Sequence, residues 1–374
     1  MNRLRVCVYA ICKNEEKFVK RWYRSMSEAD EIVVLDTGST DGTVPLLREL
    51  GATVYCETID PWRFDTARNH ALAHVPEETD ICVSTDLDEV FHPGWREKLE
   101  AAWQSGTQQA SYRYTWNFDE HGNEGYVFWI DKIHARHNFT WKNPVHEVIC
   151  YTGPGECRRV NAQGVQLDHY ADPTKSRGQY LQLLELSIRE DPENDRNMHY
   201  LGREYMYYGK WDQCIAILTR HLQMKSATWA DERCASMRYI ARAYLEKGEA
   251  DAARIWLLRA IAEAPYLREP WLDAAMEAYL REDWYAVIYL TEQALKITER
   301  PRTYISEAAS YGSLPYDLAS LGYFYTGNYA AAAESIAQAV ALAPDDERLL
   351  RNQTLIYGKL DTENKSENEP QEKS

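Results

Sequence analysis

The sequence lacks the features that would place the chain in a membrane or in an oxidising compartment. No apolar run approaches the roughly 20 residues that span a bilayer, and the N-terminus leads directly into a predicted strand without the apolar segment of a signal peptide. The eight cysteines form no C-x-x-C pair and no spacing typical of a disulfide framework. We therefore expect a cytoplasmic protein with free cysteines and no membrane span.

Positive charge is also scarce. The 374 residues include 42 Lys and Arg against 58 Asp and Glu, a formal net charge of −16. This balance argues against broad binding to a nucleic-acid backbone. The length suffices for two domains, and the 45% of hydrophobic residues can form their cores.

Short β-rich runs alternate with helical patterns in the first 90 residues, and each run ends in a polar cluster. This alternation predicts βαβ units and a mostly parallel sheet. Ligands bind beyond the carboxyl ends of such strands, so we expect the polar clusters to meet in one crevice. The runs cover residues 5–11, 31–35, 52–56 and 81–83.

The acidic cluster after the fourth run is the strongest chemical signal in the sequence. Asp86, Asp88 and Glu89 lie so close together that they raise one another's pKa unless a cation sits among them. Mg²⁺ and Mn²⁺ are typically held by one or two carboxylates together with substrate phosphates. An isolated D-x-D is more often a solvated turn, but the neighbouring polar clusters favour a metal site here.

Four motifs, in this order and spacing, resemble the nucleotide-binding half of a family 2 glycosyltransferase with a GT-A fold. The resemblance covers residues 6–117, and the motifs are Cys12-Lys13-Asn14-Glu15, Asp36-Thr37-Gly38-Ser39-Thr40-Asp41-Gly42-Thr43, Ala67-Arg68-Asn69 and Asp86-Leu87-Asp88. The resemblance implies an α/β GT-A (Rossmann-like) domain, a nucleotide-sugar donor, expected to be UDP-linked, and Mn²⁺ or Mg²⁺.

The resemblance also implies roles for individual residues. Asp36 would contact the nucleobase, Asp86 would face the ribose or the metal, and Asp88 would bind the metal that bridges the diphosphate. The donor site would further include Ala10, Asn14, Glu15 and Arg68. Two structural alternatives stay open. Asp36 is also a good turn former, and Arg68 could form an ion pair with Asp65 or Glu57.

Residues 118–190 are expected to form the acceptor-side half of a domain that covers residues 1–190. An inverting sugar transfer needs a base for the acceptor proton. Glu147 is the first choice, because Val145-His146-Glu147 resembles the acceptor-side segment of bacterial enzymes of the lipopolysaccharide-core type. The Glu-Asp pair more familiar in this superfamily is absent, so His146 and Asp131 remain alternatives, although Asp131 could simply pair with Lys132.

His169 is the candidate third metal ligand, since an imidazole suits Mn²⁺ better than Mg²⁺. Glycosyltransferases joined to helical repeats commonly show a His-Tyr segment followed by Lys and Arg at this junction. By that resemblance, Lys175 and Arg177 would lie on a mobile loop that closes over the diphosphate.

From about residue 192 the pattern becomes helical and repeats. The predicted turn positions Gly209, Gly248, Asp283 and Gly327 are 39, 35 and 44 residues apart. A tetratricopeptide-like repeat has a period of about 34, so we expect such repeats over residues 191–360. An irregular helical domain is the alternative. The polar residues 361–374 are expected to be disordered.

The whole layout resembles the sublancin-type bacteriocin S-glycosyltransferases. This implies a peptide, protein or glycan acceptor, with the repeats handling peptide or forming a homodimer. The main alternative is a helical-repeat adaptor with an inactive transferase domain. A nucleotidyltransferase is disfavoured, because no Gly-rich phosphate loop follows Ile11. A glycoside hydrolase would not explain the D-T-G-S-x-D-G-T turn.

Overall fold

The computed structural model describes residues 3–119, 122–172 and 178–368, with side chains described up to residue 363. The chain forms two compact units that meet in sequence between Pro192 and Glu193. An α/β unit precedes an all-helical unit, which confirms the predicted fold class. Among the described residues, no helix is long and apolar enough to cross a membrane.

The N-terminal unit alternates strands and helices up to its fourth strand and then becomes strand-rich. Its elements are β1 (Val6–Cys12), α1 (Glu16–Met26), β2 (Glu31–Asp36), α2 (Thr43–Leu50), β3 (Thr53–Cys56), α3 (Phe64–Ala73), β4 (Ile81–Thr85), β5 (Glu89–Phe91), α4 (Trp95–Ala102), β6 (Gln109–Thr115), β7 (Val127–Ala135), β8 (Phe139–Lys142), β9 (Val148–Tyr151), β10 (Arg159–His169) and α5 (Tyr180–Glu190).

Eight of these strands form one sheet in the order β3-β2-β1-β4-β7-β6-β10-β5, and β8 pairs with β9 separately. β1 runs parallel to both β2 and β4, and β2 runs parallel to β3. β7 joins this parallel part antiparallel to β4. The carboxyl ends of β1, β2 and β4 therefore lie side by side at one edge.

Every residue of β1 is buried, which explains its continuous apolar sequence. Its side chains alternate between two cores, as the period of a strand requires. Val8 and Ala10 pack in the core that contains Trp22. Tyr9 and Ile11 pack in a second core with α3 and β8. Burial on both faces fixes the register of the strand whose end supports the crevice.

The C-terminal unit is a succession of helices joined by short corners, except for a longer connection over residues 296–313. The helices are α6 (Asp195–Tyr207), α7 (Trp211–Gln223), α8 (Ala230–Glu246), α9 (Ala250–Glu263), α10 (Arg268–Leu280), α11 (Trp284–Leu295), α12 (Leu314–Tyr325), α13 (Tyr329–Leu342) and α14 (Glu347–Asn368), with a short 3-10 helix at Ala308–Tyr311. Alanines such as Ala253, Ala275 and Ala332 are fully or almost fully buried between them, where small side chains let helices approach closely.

The end of the chain differs from the sequence expectation. α14 continues through Asn368, across the first part of the segment expected to be disordered. A helix that already exists adds residues easily, because each added residue gains a backbone hydrogen bond without a new nucleation step. Residues 369–374 lie outside the described part of the chain.

Candidate active site

Polar segments follow the three adjacent strand ends. Cys12 and Asp36, the last residues of β1 and β2, are register partners. Thr85 is the last residue of β4, which pairs directly with β1, and Asp86 follows it. The loops that begin at residues 13, 37 and 86 therefore leave the same edge of the sheet.

Asp36 organises the loop that follows it. Its Oδ2 accepts hydrogen bonds from the backbone N–H groups of Gly38 at 3.1 Å and Ser39 at 3.0 Å. Gly38 has φ +109°, a conformation that glycine adopts without strain. The turn-forming role considered for Asp36 is therefore present in the structure.

Asn14 and Glu15 fasten the loop after β1 to the loop after β2. Asn14 Oδ1 accepts from Thr40 N at 2.7 Å, and the backbone N–H of Glu15 donates to Thr43 Oγ1 at 2.8 Å. Ala10, also a donor-site candidate, lies inside β1 with its side chain fully buried. Among these three, Asn14 is the exposed one.

Arg68 lies at the centre of the candidate site, with only 4% of its side chain exposed. Its Nε donates to Glu147 Oε1 at 2.5 Å, and its Nη2 donates to the two carboxylate oxygens of Asp86 at 2.8 and 3.1 Å. Burial alone would lower the pKa of Arg68, but the two carboxylates outweigh it and raise that pKa.

The sequence analysis considered ion pairs of Arg68 with Asp65 or Glu57, and Arg68 forms neither of them. Asp65 pairs with Arg63, and Glu57 pairs with His70 and His74.

Lys132 is a second buried cation of the site, and the sequence analysis missed it. Its Nζ lies 3.1 Å from Asp86 Oδ2 and 3.1 Å from Glu89 Oε1. Burial would raise the pKa of Asp86, but Arg68 and Lys132 together hold that pKa far below its usual range. The repulsion expected within the acidic cluster is thus relieved by cations of the chain itself.

Glu89 supports the cluster from within the fold. Its Oε2 accepts from the backbone N–H of Asp86 at 2.9 Å, and its Oε1 accepts from the Tyr114 hydroxyl at 2.8 Å. Burial raises its pKa, and the neighbouring Lys132 opposes that shift. The signal that could have identified Lys132 is a lysine within β7, a strand that is otherwise aromatic and apolar except for Asp131 and His134.

Asp88 and His169 come together although 81 residues separate them. Asp88 Oδ2 lies 3.5 Å from His169 Nε2, and their side chains are 12% and 10% exposed. The other ring nitrogen of His169, Nδ1, lies 2.8 Å from the carbonyl oxygen of Trp116, so Nε2 is directed toward Asp88. Burial would lower the pKa of His169, but Asp88 outweighs it and raises the pKa.

Asp86, Asp88 and His169 are the residues predicted to bind a divalent cation. Within the described ranges, no group of three or more His, Cys, Asp or Glu residues is arranged to hold a metal ion. Both oxygens of Asp86 already accept from Arg68, and one also contacts Lys132. Asp88 and His169 offer one oxygen and one nitrogen at the edge of the site. Two protein ligands fit a cation whose remaining ligands are water and substrate phosphate oxygens.

The remaining candidates are Asp131, His146, Lys175 and Arg177. Asp131 lies on β7 with much of its surface exposed, but neighbouring atoms still partly shield its carboxyl from water and raise its pKa, and Arg159 opposes that shift. His146 has φ +51°, and its ring lies 6.0 Å from that of Tyr180. Lys175 and Arg177 fall in the segment that the structure does not describe.

The N-terminal unit is similar in sequence to known glycosyltransferases. Residues 7–156 match the family model described as "Glycosyl transferase family 2". The N-terminal unit therefore carries a family 2 glycosyltransferase domain. In particular, the chain is 31% identical over 101 residues to the lipopolysaccharide core biosynthesis glycosyltransferase LpsC of Rhizobium meliloti (strain 1021). That alignment covers 26% of this chain and 36% of the relative, about a third of its length.

Solved structures similar to the chain are repeat proteins of low sequence identity. One is the crystal structure of MamA, at 18% identity and a TM-score of 0.37, over 48% of this chain and 99% of that one. Another is a tetratricopeptide repeat protein from Parabacteroides merdae ATCC 43184, at 16% identity and a TM-score of 0.37, over 48% and 65% of the two chains.

Proposed function

We propose that the protein is a metal-dependent, inverting glycosyltransferase. It transfers a sugar from a nucleoside diphosphate sugar, with UDP as the expected carrier, to a peptide, protein or glycan acceptor. The observation that carries this proposal is the buried link Glu147–Arg68–Asp86 beside Asp88 and His169. It occurs at the carboxyl ends of parallel strands in a family 2 domain.

On the donor side, the loop organised by Asp36 takes the nucleobase, and the exposed Asn14 borders the same loop. Asp88 and His169 are the residues that would hold Mn²⁺ or Mg²⁺. When bound, such a cation supplies positive charge that stabilises the leaving diphosphate. Arg68 and Lys132 keep Asp86 ionised, so these three side chains carry the same charges before and after the donor binds.

On the acceptor side, Glu147 accepts the proton of the attacking group. Its carboxylate is held in one position by the 2.5 Å hydrogen bond that Arg68 donates to it. Holding the base in one orientation before the acceptor arrives avoids reorganisation during the reaction. We assign recognition of the acceptor or of a second copy of the chain to the helical unit.

The proposal is tested first by binding of nucleotide sugars and then by transfer of the sugar to an acceptor. The melting temperature of the full chain is measured with UDP-, GDP- and dTDP-linked sugars, each with and without Mn²⁺, since a ligand that binds only the folded state raises it. We expect stabilisation by one UDP-sugar that depends on Mn²⁺, followed by transfer of that sugar to a peptide or glycan. Absence of stabilisation by every nucleotide sugar, with or without metal, would contradict the proposal. It would favour the adaptor alternative.

A further inference from the structure

The helical unit contains four corners of the same construction, and one of them breaks the pattern. In each corner, the second residue after the first helix adopts a left-handed backbone conformation. Three corners use glycine there: Gly209 with φ +65°, Gly248 with +77° and Gly327 with +83°. Glu282 takes this position between α10 and α11, with φ +58°.

A glutamate in this conformation is strained. The left-handed region brings Cβ too close to the following carbonyl oxygen, a penalty that glycine avoids. Residues held in such conformations often mark functional positions, where the side chain itself is needed.

Glu282 lines a cavity of about 300 Å³ with four other residues: Tyr279, Leu280, Trp284 and Tyr325. The rings of Trp284 and Tyr325 stack at 4.2 Å with an interplanar angle of 17°, and Tyr279 meets Trp284 edge-on at 5.7 Å. Leu280 is 66% exposed and Tyr325 is 57% exposed. The cavity thus combines aromatic rings, an aliphatic side chain and one carboxylate.

No cation within the described part of the chain neutralises that carboxylate. The side chain of Glu282 forms no hydrogen bond or ion pair there, and the adjacent Arg281 is engaged with Glu277 at 2.8 Å and Asp283 at 3.4 Å. The next long segment of the chain is acidic, although Arg348, just beyond it, pairs with Asp317 at 2.9 Å. Residues 303–347, which include α12 and α13, contain no Lys or Arg and six acidic residues: Glu307, Asp317, Glu334, Asp345, Asp346 and Glu347.

We infer that this cavity binds a cationic side chain, an arginine of a partner polypeptide. An aromatic ring attracts a guanidinium over its face, a carboxylate forms charge-assisted hydrogen bonds with it, and Leu280 can pack against its aliphatic stem. A neutral sugar would not supply the positive charge that the carboxylate of Glu282 lacks. The site lies within the helical unit and does not depend on the proposed transferase activity.

The test uses the full chain without any nucleotide sugar, so its outcome is separate from that of the transferase proposal. A fluorescent peptide of Gly-Ser-Arg repeats is titrated against the protein, in parallel with the same peptide carrying citrulline, a neutral analogue of arginine. We expect the arginine peptide to bind and added salt to weaken it. Glu282→Gln should weaken it about tenfold, the loss expected for one charge-assisted hydrogen bond. Tyr325→Ala should also weaken it, because it removes an aromatic ring that attracts the guanidinium.

Glu334→Gln is the matched control, because it removes one exposed negative charge from α13 outside the cavity lining. It should bind as the wild type does. Equal binding of the citrulline peptide, equal losses in Glu334→Gln and Glu282→Gln, or no binding of the arginine peptide would overturn the proposal. Preferential binding of a neutral oligosaccharide would also overturn it.

A second pair of variants separates function from folding. Glu282→Gly and Glu282→Gln remove the same charge, but only glycine relieves the left-handed backbone. We expect both to lose binding of the arginine peptide and Glu282→Gly to melt at a higher temperature than Glu282→Gln. A lower melting temperature for Glu282→Gly would contradict the argument from strain.

Discussion

Arg68 and Glu147 are joined by a 2.5 Å hydrogen bond between Nε and Oε1, and the same guanidinium binds Asp86. One buried cation therefore connects the proposed base to the acidic cluster at the end of β4. The two carboxylates are 61 residues apart in sequence. Their common partner comes from α3, which packs against β1 and β8. The acceptor and donor sides of the proposed site share one electrostatic support.

Arg68→Gln should destabilise the N-terminal unit by about 3–5 kcal/mol, because it removes the buried guanidinium that Glu147 and Asp86 share and leaves Asp86 with Lys132 as its ion-pair partner. Arg68→Lys should recover part of this loss, since a lysine keeps the charge but cannot form the same set of hydrogen bonds. Urea unfolding measures the difference. Arg113→Gln serves as the control. Its ion pair with Glu124 is more exposed, and its removal should cost about 1 kcal/mol or less. Equal effects of the two glutamine variants would contradict the structural role of Arg68.

Glu147→Gln should lower kcat by about 10²–10⁴ and leave the dissociation constant of the nucleotide sugar unchanged, because it removes a general base without removing donor contacts. Rapid-quench assays with saturating donor and calorimetric titration of the donor measure the two quantities. Asp131→Asn is the matched control, and it should retain the wild-type rate because Asp131 lies exposed on β7 beside Arg159. A normal rate in Glu147→Gln together with a loss in Asp131→Asn would exchange the two roles.

The sequence predicts much of the architecture because its signals are local. Alternating strand and helix patterns identify β1 to β4. Because these patterns also show where each strand ends, they place the polar residues at the strand ends. The change to helical repeats is equally local. The pairing of buried charges is not. Lys132 looks like a partner of Asp131, its neighbour in sequence, but it contacts Asp86 and Glu89, more than 40 residues away.

The corner at Glu282 shows a second limit of sequence reasoning. The pattern identifies Asp283 as the turn residue, and Asp283 does cap α11 by accepting from Ala286 N at 3.2 Å. The left-handed residue is the one before it. Only the backbone angle shows that Glu282 occupies a glycine position, because a glutamate in a turn gives no such signal in the sequence.

Asp88→Asn should abolish the Mn²⁺-dependent part of the stabilisation by a UDP-sugar without unfolding the protein. Its partner His169 keeps its contact with the Trp116 carbonyl, so the local structure has other support. Asp86→Asn should behave differently and lower the melting temperature in the absence of any ligand, because Arg68 and Lys132 would lose their shared carboxylate. Thermal-shift measurements with and without Mn²⁺ separate the two cases. An unchanged metal response in Asp88→Asn would remove this residue from the proposed cation site.

His134 should make the N-terminal unit less stable as the pH falls below about 6.5. The ring is fully buried, Nε2 lies 2.8 Å from the Tyr9 hydroxyl, and Nδ1 lies 2.7 Å from the Ala135 carbonyl oxygen. Burial lowers the pKa of His134 to about 4, whereas the unfolded chain has an ordinary histidine pKa of about 6.5.

Between these two pKa values, the unfolded state binds a proton at this site that the folded state does not bind. The stability that the neutral ring contributes is therefore complete above pH 6.5, decreases as the pH falls, and levels off near pH 4. At pH 5 the loss amounts to about 2 kcal/mol. Urea unfolding at pH 7 and pH 5 measures this loss.

His134→Gln should reduce the pH dependence by this amount, even if the variant is less stable at both pH values. His137→Gln, at an exposed site on the same segment, should leave the dependence unchanged. The comparison of the two slopes then isolates the buried ring from the other groups that titrate in this range, and an undiminished slope in His134→Gln would show that its protonation is not coupled to folding.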